Sequence, residues 1–150
     1  MDRTTGGFTI HELIVTLALG TVILSIAVQH TARARQAYSV NAAQTMFRAL
    51  GARARAHAIE RGSNVLLHVD ASADSAWVTL DGAILETIRF GADLHVDVQT
   101  MASPLYVCFM PRGYADPDCN SFTGSVSVRF VAGSNERSTV IRPLGQVTTP

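Results

Sequence analysis

The chain has 150 residues, of which 47% are hydrophobic and 16% are charged, and its formal net charge at pH 7 is zero. The length fits a single domain, and the hydrophobic share excludes a wholly disordered chain, because disorder requires low hydrophobicity and a high net charge. Twelve arginines balance twelve acidic residues, so the overall charge gives no indication of nucleic-acid binding. The two cysteines, Cys108 and Cys119, are too few for a disulfide scaffold or a four-cysteine zinc site.

The charged residues are unevenly distributed along the chain. Residues 1–28 have a net charge of minus one, whereas residues 29–61 contain six arginines against one acidic residue, Glu60. Residues 62–150 contain five arginines and nine acidic residues. The chain therefore has an apolar first part, a basic middle part and an acidic last part.

Residues 8–28 form an apolar segment in which only His11 and Glu12 are ionisable. As a helix, this segment is long enough to cross a hydrocarbon core about 30 Å thick. A secretory signal peptide is disfavoured, because its apolar region is usually only about 7–15 residues long and no small-x-small cleavage site follows directly. A plain membrane anchor does not explain Glu12, since a carboxylate deep in the bilayer costs about 2–3 kcal/mol.

The start of the apolar segment, GGFTIHEL at residues 6–13, resembles the processing site of type IV pilins and pseudopilins. In that family a prepilin peptidase cleaves after the glycine, the new N-terminal phenylalanine is methylated, and a glutamate stands fifth in the mature chain. The resemblance implies cleavage between Gly7 and Phe8, N-methylation of Phe8 and a role in filament assembly for Glu12. The alternative, a core helix with one stray glutamate, would require a much larger protein to bury it.

A glutamate in lipid needs a cationic partner, and the α-amine of a neighbouring subunit's Phe8 would supply one. His11 stands where the family usually has an apolar residue. The simpler interpretation is a neutral imidazole near the membrane surface, and an intramembrane role for His11 is the alternative.

The helix is predicted to continue beyond the membrane to about Arg61, because no proline occurs before Pro104. Apolar residues recur at spacings of three and four between Val40 and Ala58, which predicts one apolar stripe that packs on a sheet. Gly62 is the predicted C-terminal cap of the helix.

Four arginines flank this stripe on two sides: Arg48 and Arg55 on one, Arg35 and Arg53 on the other. Arginines on an exposed helix usually form a solvated face. They are also suited to anionic lipid headgroups or to the acidic globular face of the next subunit. Nucleic acid ranks third, because no aromatic residues are interleaved with these arginines.

After Gly62 the hydrophobic period changes from 3.6 to two, which predicts a series of strands. The predicted strands are Val65–Val69, Ala76–Leu80, Ala83–Phe90, Leu94–Val98, Leu105–Phe109, Ser125–Val131 and Ser138–Ile141. Asp81-Gly82 fits a two-residue hairpin turn, and residues 132–136 are predicted to form a longer turn. The predicted fold is α+β, with a long N-terminal helix packed on an antiparallel sheet.

With this layout, the chain resembles the GspH/FimT family of minor pseudopilins over nearly its whole length. The family's AR-x-x-A helix end, F-x-P-x-G turn and closing glycine segment correspond to Ala52–Ala58, Phe109–Gly113 and Leu144–Gln146. Family members that bind DNA carry arginine after the last glycine. This chain has Gln146 and Thr148 there, so the resemblance does not extend to DNA binding.

The resemblance places Cys108 and Cys119 outside the cytoplasm, where a disulfide can form. Such a bridge would stabilise the fold by about 3 kcal/mol, and two unpaired thiols are the alternative. Asp116, Asp118 and Asn120 alternate as calcium ligands do, but a bidentate glutamate and a fixed glycine are missing. No metal site and no cofactor are predicted.

No enzyme is predicted, because the chain lacks a nucleophile elbow, a zinc-protease motif and a phosphate loop. No pair of carboxylates suggests acid–base catalysis. Four histidines are scattered, with His68 and His95 at predicted strand positions: His30, His57, His68 and His95.

The expected function is that of a minor pseudopilin of the type II protein secretion system. The alternatives are a minor pilin of a type IV pilus, in pilus biogenesis or DNA uptake, and a membrane-anchored periplasmic binding module that does not assemble. Expected partners are other pseudopilins or pilins, the prepilin peptidase, the inner-membrane assembly platform and membrane lipid, with nucleic acid not expected.

The expected organisation has four parts. Residues 1–7 are the cleaved leader, and residues 8–28 are the transmembrane and assembly half of the helix. Residues 29–61 are the amphipathic half, and residues 62–150 form the β-rich part in the periplasm. The protein is thus expected to span the inner membrane once.

Overall fold

A computed structural model describes residues 9–101 and 104–149, and for residues 26–30 it describes the backbone alone. The chain divides into two compact units, with the boundary between Arg35 and Gln36. The first unit, where described, consists of the N-terminal part of the long helix. The second unit contains the rest of that helix and all the strands. The predicted cleavage site between Gly7 and Phe8 lies outside the described residues.

Helix α1 spans Ile10–Arg61, and its 52 residues match the helix predicted from Phe8 to about Arg61. It ends where expected, because Gly62 adopts a φ of 62°, a left-handed conformation that glycine accepts without steric cost. In the part of the chain that the structure describes, no helix is both long and apolar enough to cross a membrane.

The residues after α1 form eight strands and one short helix within the described ranges. In chain order these are β1 (Val65–Asp70), β2 (Ser75–Leu80), β3 (Ala83–Arg89), α2 (Phe90–Leu94), β4 (Asp97–Thr100), β5 (Leu105–Phe109), β6 (Val126–Ala132), β7 (Asn135–Ile141) and β8 (Val147–Thr148). The predicted α+β fold, a long helix followed by an antiparallel β domain, is confirmed.

The strands are arranged in two four-stranded antiparallel sheets, with orders β3-β2-β1-β5 and β4-β6-β7-β8. The hairpin between β2 and β3 turns at Asp81 and Gly82, whose φ angles of 50° and 81° are those of the two-residue turn that the sequence predicts. The sequence did not predict the division into two sheets.

The core lies between α1 and the two sheets. The predicted stripe of α1 is buried along its whole length, and its members are at most 1% exposed: Val40, Ala43, Phe47, Leu50, Ala54 and Ala58. Phe47 contacts Phe90 and Phe130, whose ring centroids lie 6.5 and 5.5 Å from its own. Because Phe90 lies in α2 and Phe130 in β6, this aromatic cluster packs α1 against α2 and against the sheet that contains β6.

Two predicted strands have incorrect bounds near Phe90, the first by one residue and the second by three at its start. The strand predicted through Phe90 ends at Arg89, and the strand predicted over Leu94–Val98 begins only at Asp97, because α2 lies between them. The N–H of Gly91 donates to the carbonyl of Asp74, and His95 caps α2 with a left-handed φ of 55°. His95 is therefore at a helix end and not in a strand.

The turn predicted over residues 132–136 is shorter than expected. Ala132 pairs directly with Asn135, so only Gly133 and Ser134 form the turn. The two residues of β8 were not predicted, because a strand this short has no readable periodicity.

Candidate functional site

Glu12 lies in the first turn of α1 and takes part in a reciprocal hydrogen-bonded cap with Thr9. The N–H of Glu12 donates to Thr9 Oγ1 at 3.3 Å, and the N–H of Thr9 donates to Glu12 Oε2 at 3.4 Å. The hydroxyl of Thr9 also donates to the same carboxylate oxygen at 3.4 Å. This is a capping box, in which two of the unpaired N–H groups at a helix start are satisfied.

This second role of Glu12 was not predicted, although the sequence contains its signal. Thr9 and Glu12 stand three apart before an apolar run, which is the sequence pattern of a capping box. The carboxylate is exposed beyond these contacts, so one face of it is open to a further partner. A negative charge here also interacts favourably with the positive end of the helix dipole.

Polar side chains within the apolar segment satisfy their hydrogen bonds on the helix itself. Thr16 Oγ1 donates to the carbonyls of Glu12 and Leu13, both at 2.9 Å. Thr21 Oγ1 and Ser25 Oγ each donate at 2.8 Å to the carbonyl three residues earlier. These hydroxyls therefore require no water, which suits an apolar environment.

Cys108 and Cys119 are joined by a disulfide, with their Cα atoms 5.8 Å apart. Cys108 lies in β5, and Cys119 lies in the loop that follows it along the sheet edge. Two hydrogen bonds also hold this loop against Cys108. The N–H of Asp116 donates to the carbonyl of Cys108 at 2.8 Å, and the N–H of Cys108 donates to Asn120 Oδ1 at 2.9 Å. The bridge thus connects two segments that are already hydrogen-bonded.

The three residues with the spacing of calcium ligands have structural roles instead. Asp116 Oδ1 accepts from the N–H of Asp118, and Asn120 Nδ2 donates to the carbonyl of Pro143 at 2.8 Å. Within the described residues, no three His, Cys, Asp or Glu side chains come together as a metal site would require.

His68 lies on the outer face of the sheet formed by β3, β2, β1 and β5. Its ring stacks on Trp77 at a centroid distance of 5.1 Å, and its Nε2 is 3.0 Å from Thr79 Oγ1. Burial lowers the pKa of His68, so the neutral imidazole is favoured. The Thr79 hydroxyl is buried in the sheet, and no carboxylate of the described residues is hydrogen-bonded to the ring, so His68 is a packed residue of the sheet surface.

A groove of about 550 Å³ lies between α1 and the C-terminal segment of the second unit. Arg48 and Arg55 line it from the helix, and Gln146 and Thr148 line it from β8 and the turn before it. Gln146 and Thr148 therefore face the flank of the helix that carries Arg48 and Arg55. The sequence alone does not predict that these two segments line one groove, because their proximity depends on how the C-terminal segment packs beside α1.

Comparisons with known proteins identify the fold. No protein-family model matches the chain, and no curated protein does. The type IV minor pilin FimU of Pseudomonas aeruginosa PAO1 is a structural match in two crystal forms, P21 and P65. The first has 12% identity and a TM-score of 0.57 over 74% of this chain and 87% of FimU. The second has 12% identity and a TM-score of 0.55 over 73% and 91%. The chain therefore has a type IV pilin-like fold.

Proposed function

We propose that this chain is a minor subunit of a pilin-like filament, which is cleaved between Gly7 and Phe8 and assembles through its apolar helix. The observation that carries the proposal is Glu12, an exposed carboxylate in the first turn of an apolar helix that leads into a pilin-like domain. The protein is proposed to enter the inner membrane as a precursor, with residues 62–150 in the periplasm.

The exposed side chains of the apolar segment support assembly. Large hydrophobic residues between Ile10 and Leu24 are between 43% and 82% exposed, so this part of the helix carries an apolar surface that no other described part of the chain covers. Such a surface requires lipid or neighbouring helices to cover it. The hydroxyls of Thr16, Thr21 and Ser25 donate to carbonyls of the same helix. They can therefore be buried in lipid or against a neighbouring helix without leaving an unpaired polar group.

Glu12 is proposed to pair with the α-amine of Phe8 on a neighbouring subunit. The capping box already uses part of this carboxylate, so a variant that removes the side chain changes both helix capping and charge. Glutamine separates the two effects, because its amide oxygen accepts the hydrogen bond from Thr9 N–H but carries no charge. The pair of variants Glu12→Gln and Glu12→Leu therefore tests the charge itself.

Both Glu12→Gln and Glu12→Leu are expected to be processed and membrane-bound, yet absent from filaments. Loss of the carboxylate leaves a buried amine unpaired, which costs about 3–5 kcal/mol per contact. Thr9→Ala is the matched control, because it weakens the cap by about 1 kcal/mol and retains the charge. Filament incorporation is measured by co-purification with the major subunit. Incorporation of Glu12→Gln at the wild-type level would contradict the proposal and favour an anchored module that does not assemble.

The sequence resemblance covers both secretion pseudopili and type IV pili, and of the two machines we propose the type II secretion pseudopilus first. A type IV pilus is the second candidate, and the structural likeness to the type IV minor pilin FimU favours it. Deletion of the gene distinguishes the two. Loss of secreted proteins with normal surface pili indicates type II secretion, and loss of surface pili with normal secretion indicates a type IV pilus.

A further inference from the structure

We propose that the groove between α1 and residues 145–148 docks an acidic segment of a neighbouring filament subunit. This inference rests on the proposed function and adds a partner surface on the second unit. The groove is lined on the helix side by two arginines, Arg48 and Arg55. They stand seven residues apart on one helix face, which separates them by about 10 Å along the axis.

Both guanidinium groups are available for a partner. Arg48 and Arg55 are exposed, and neither forms an ion pair or hydrogen bond with any residue that the structure describes. Arg53, on the other flank of α1, differs because it pairs with Glu86 of β3 through two hydrogen bonds. The groove therefore contains two unpaired cations of the helix, and Arg53, which is paired, lies outside it.

The shape of the groove is built by small residues. Gly51 brings α1 close to β8, because a Cβ at this position would lie 3.2 Å from Val147 Cγ2. Ala49 and Ala52 line the wall between the two arginines. These small side chains leave an open channel in which a peptide backbone has room beside the guanidinium groups.

Three exposed apolar residues lie in segments next to the groove: Ile59, Tyr114 and Leu144, which are 54%, 37% and 54% exposed. Gly113, which precedes Tyr114, lies close to the side chains of Arg55 and Ile59, and Leu144 precedes Gly145, which lines the groove. The whole surface thus combines two cations with a small apolar area, which fits a segment with carboxylates and at least one apolar side chain.

The guanidinium group of arginine binds both carboxylates and phosphates. Other features of the groove must therefore distinguish an acidic protein segment from a nucleic acid. No aromatic side chain is among the described residues that line the groove, and only Tyr114 of the described residues named beside it is aromatic, so the surface offers no row of aromatic rings on which successive bases could stack. Two cations also contact few phosphates. By contrast, residues 62–150 of this chain carry nine acidic residues against five arginines, so a subunit of this type presents carboxylates. Charge complementarity therefore favours a protein partner.

The test is site-specific photo-crosslinking of the full chain in cells that assemble the filament. A photoreactive residue replaces Ala52 in the groove, and a second one replaces the exposed Thr87 on edge strand β3, outside the groove lining, as the control position. Crosslinked peptides are identified by mass spectrometry, and filament incorporation of the chain is measured in the same cells.

Three double variants test the role of the arginines. They are Arg48→Glu with Arg55→Glu, the milder Arg48→Gln with Arg55→Gln, and Arg61→Ala with Arg89→Ala as matched losses of exposed arginines.

The expected result is a crosslink from position 52 to a carboxylate-bearing segment of another pilin-like subunit, with none to the same segment from position 87. The crosslink yield should fall by about tenfold or more in the charge-reversed variant, since attraction becomes repulsion, and by less in the glutamine variant. The control variant should keep the wild-type yield. Replacement of the mapped carboxylates by arginine should restore the crosslink of Arg48→Glu with Arg55→Glu.

Other outcomes overturn the inference. A crosslink to nucleic acid or lipid assigns the groove to a different partner, and a protein crosslink that is insensitive to charge reversal removes the role of the arginines. Normal filament incorporation without any crosslink from position 52 contradicts the docking site but leaves the proposed function intact. A wild-type chain that enters no filament contradicts the proposed function itself.

Discussion

Thr79 and Thr139 are both buried threonines, but they differ in their hydrogen bonding. Thr79 Oγ1 lies 3.0 Å from His68 Nε2, whereas Thr139 Oγ1 has no hydrogen-bond partner among the described residues. A buried hydroxyl without a partner costs free energy, and a methyl group of similar shape does not. The same substitution is therefore expected to have opposite effects at the two positions.

Thr139→Val should leave the free energy of unfolding unchanged or raise it by up to about 1 kcal/mol, and Thr79→Val should lower it by about 1–2 kcal/mol. The measurement is urea unfolding in detergent, followed by the fluorescence of Trp77, the single tryptophan of the chain. A clear loss of stability in Thr139→Val would contradict this prediction, because it would show that the Thr139 hydroxyl forms a hydrogen bond in the folded protein.

Single residues were predictable where a local motif carries the information. The position of Glu12 in the first helical turn follows from the motif, and the capping box follows from Thr9 three residues earlier. The basic groove did not follow from any local pattern. It depends on Gly51 and Val147 coming into contact, and these residues are far apart in the sequence.

Between elements, the disulfide gives the clearest prediction. It joins β5 to the loop that contains Cys119, and their separation of 11 positions corresponds to a stabilisation of about 3 kcal/mol on loop-closure estimates. Cys119→Ser is expected to lose up to this amount, because the hydrogen bonds that Cys108 forms with Asn120 Oδ1 and with the N–H of Asp116 still hold the loop. Cys108→Ser should lose more, since Cys108 is 1% exposed and serine would bury a hydroxyl there.

Unfolding of the wild type with and without reductant measures the contribution of the bridge. The stability of the reduced wild type should match that of Cys119→Ser. Two titratable thiols in the folded, unreduced protein would contradict the bridge.

At the scale of elements, the strong periodic patterns predicted α1 and most strands with nearly the observed bounds. The exceptions have tertiary causes. Helix α2 interrupts a run of residues that favour strands. There, Phe90 packs on Phe47 in the aromatic cluster, and the N–H of Gly91 donates a hydrogen bond to the carbonyl of Asp74. Neither contact is visible in the local sequence.

For the whole molecule, the division between Arg35 and Gln36 predicts that residues 36–150 fold alone. This fragment keeps the buried stripe from Val40 to Ala58 that covers both sheets. It should be soluble and should unfold in one cooperative transition, with a free energy of unfolding in the usual range of about 5–15 kcal/mol. Circular dichroism during thermal unfolding is the measurement. An aggregated fragment, or one without a cooperative transition, would place the boundary between assembly and packing parts elsewhere.

The α+β class and the order of helix before strands followed from the change of hydrophobic period at Gly62. The two-sheet arrangement did not, because strand order depends on long-range pairs such as Val65 with Phe109 and Val98 with Phe130. Alternation along a strand indicates which side chains face the core, but it does not identify the neighbouring strand.

The central claim is that the chain is a processed subunit of a pilin-like filament, and the N-terminus of the chain in the assembled filament tests it most directly. Mass spectrometry of the filament fraction should find residues 1–7 absent and the chain beginning at Phe8 with one methyl group on its α-amine. Gly7→Glu should accumulate as the precursor and be missing from this fraction, because the peptidase requires a small residue before the cut. A filament-associated chain that begins at Met1, or one cut after residue 28, would contradict the account.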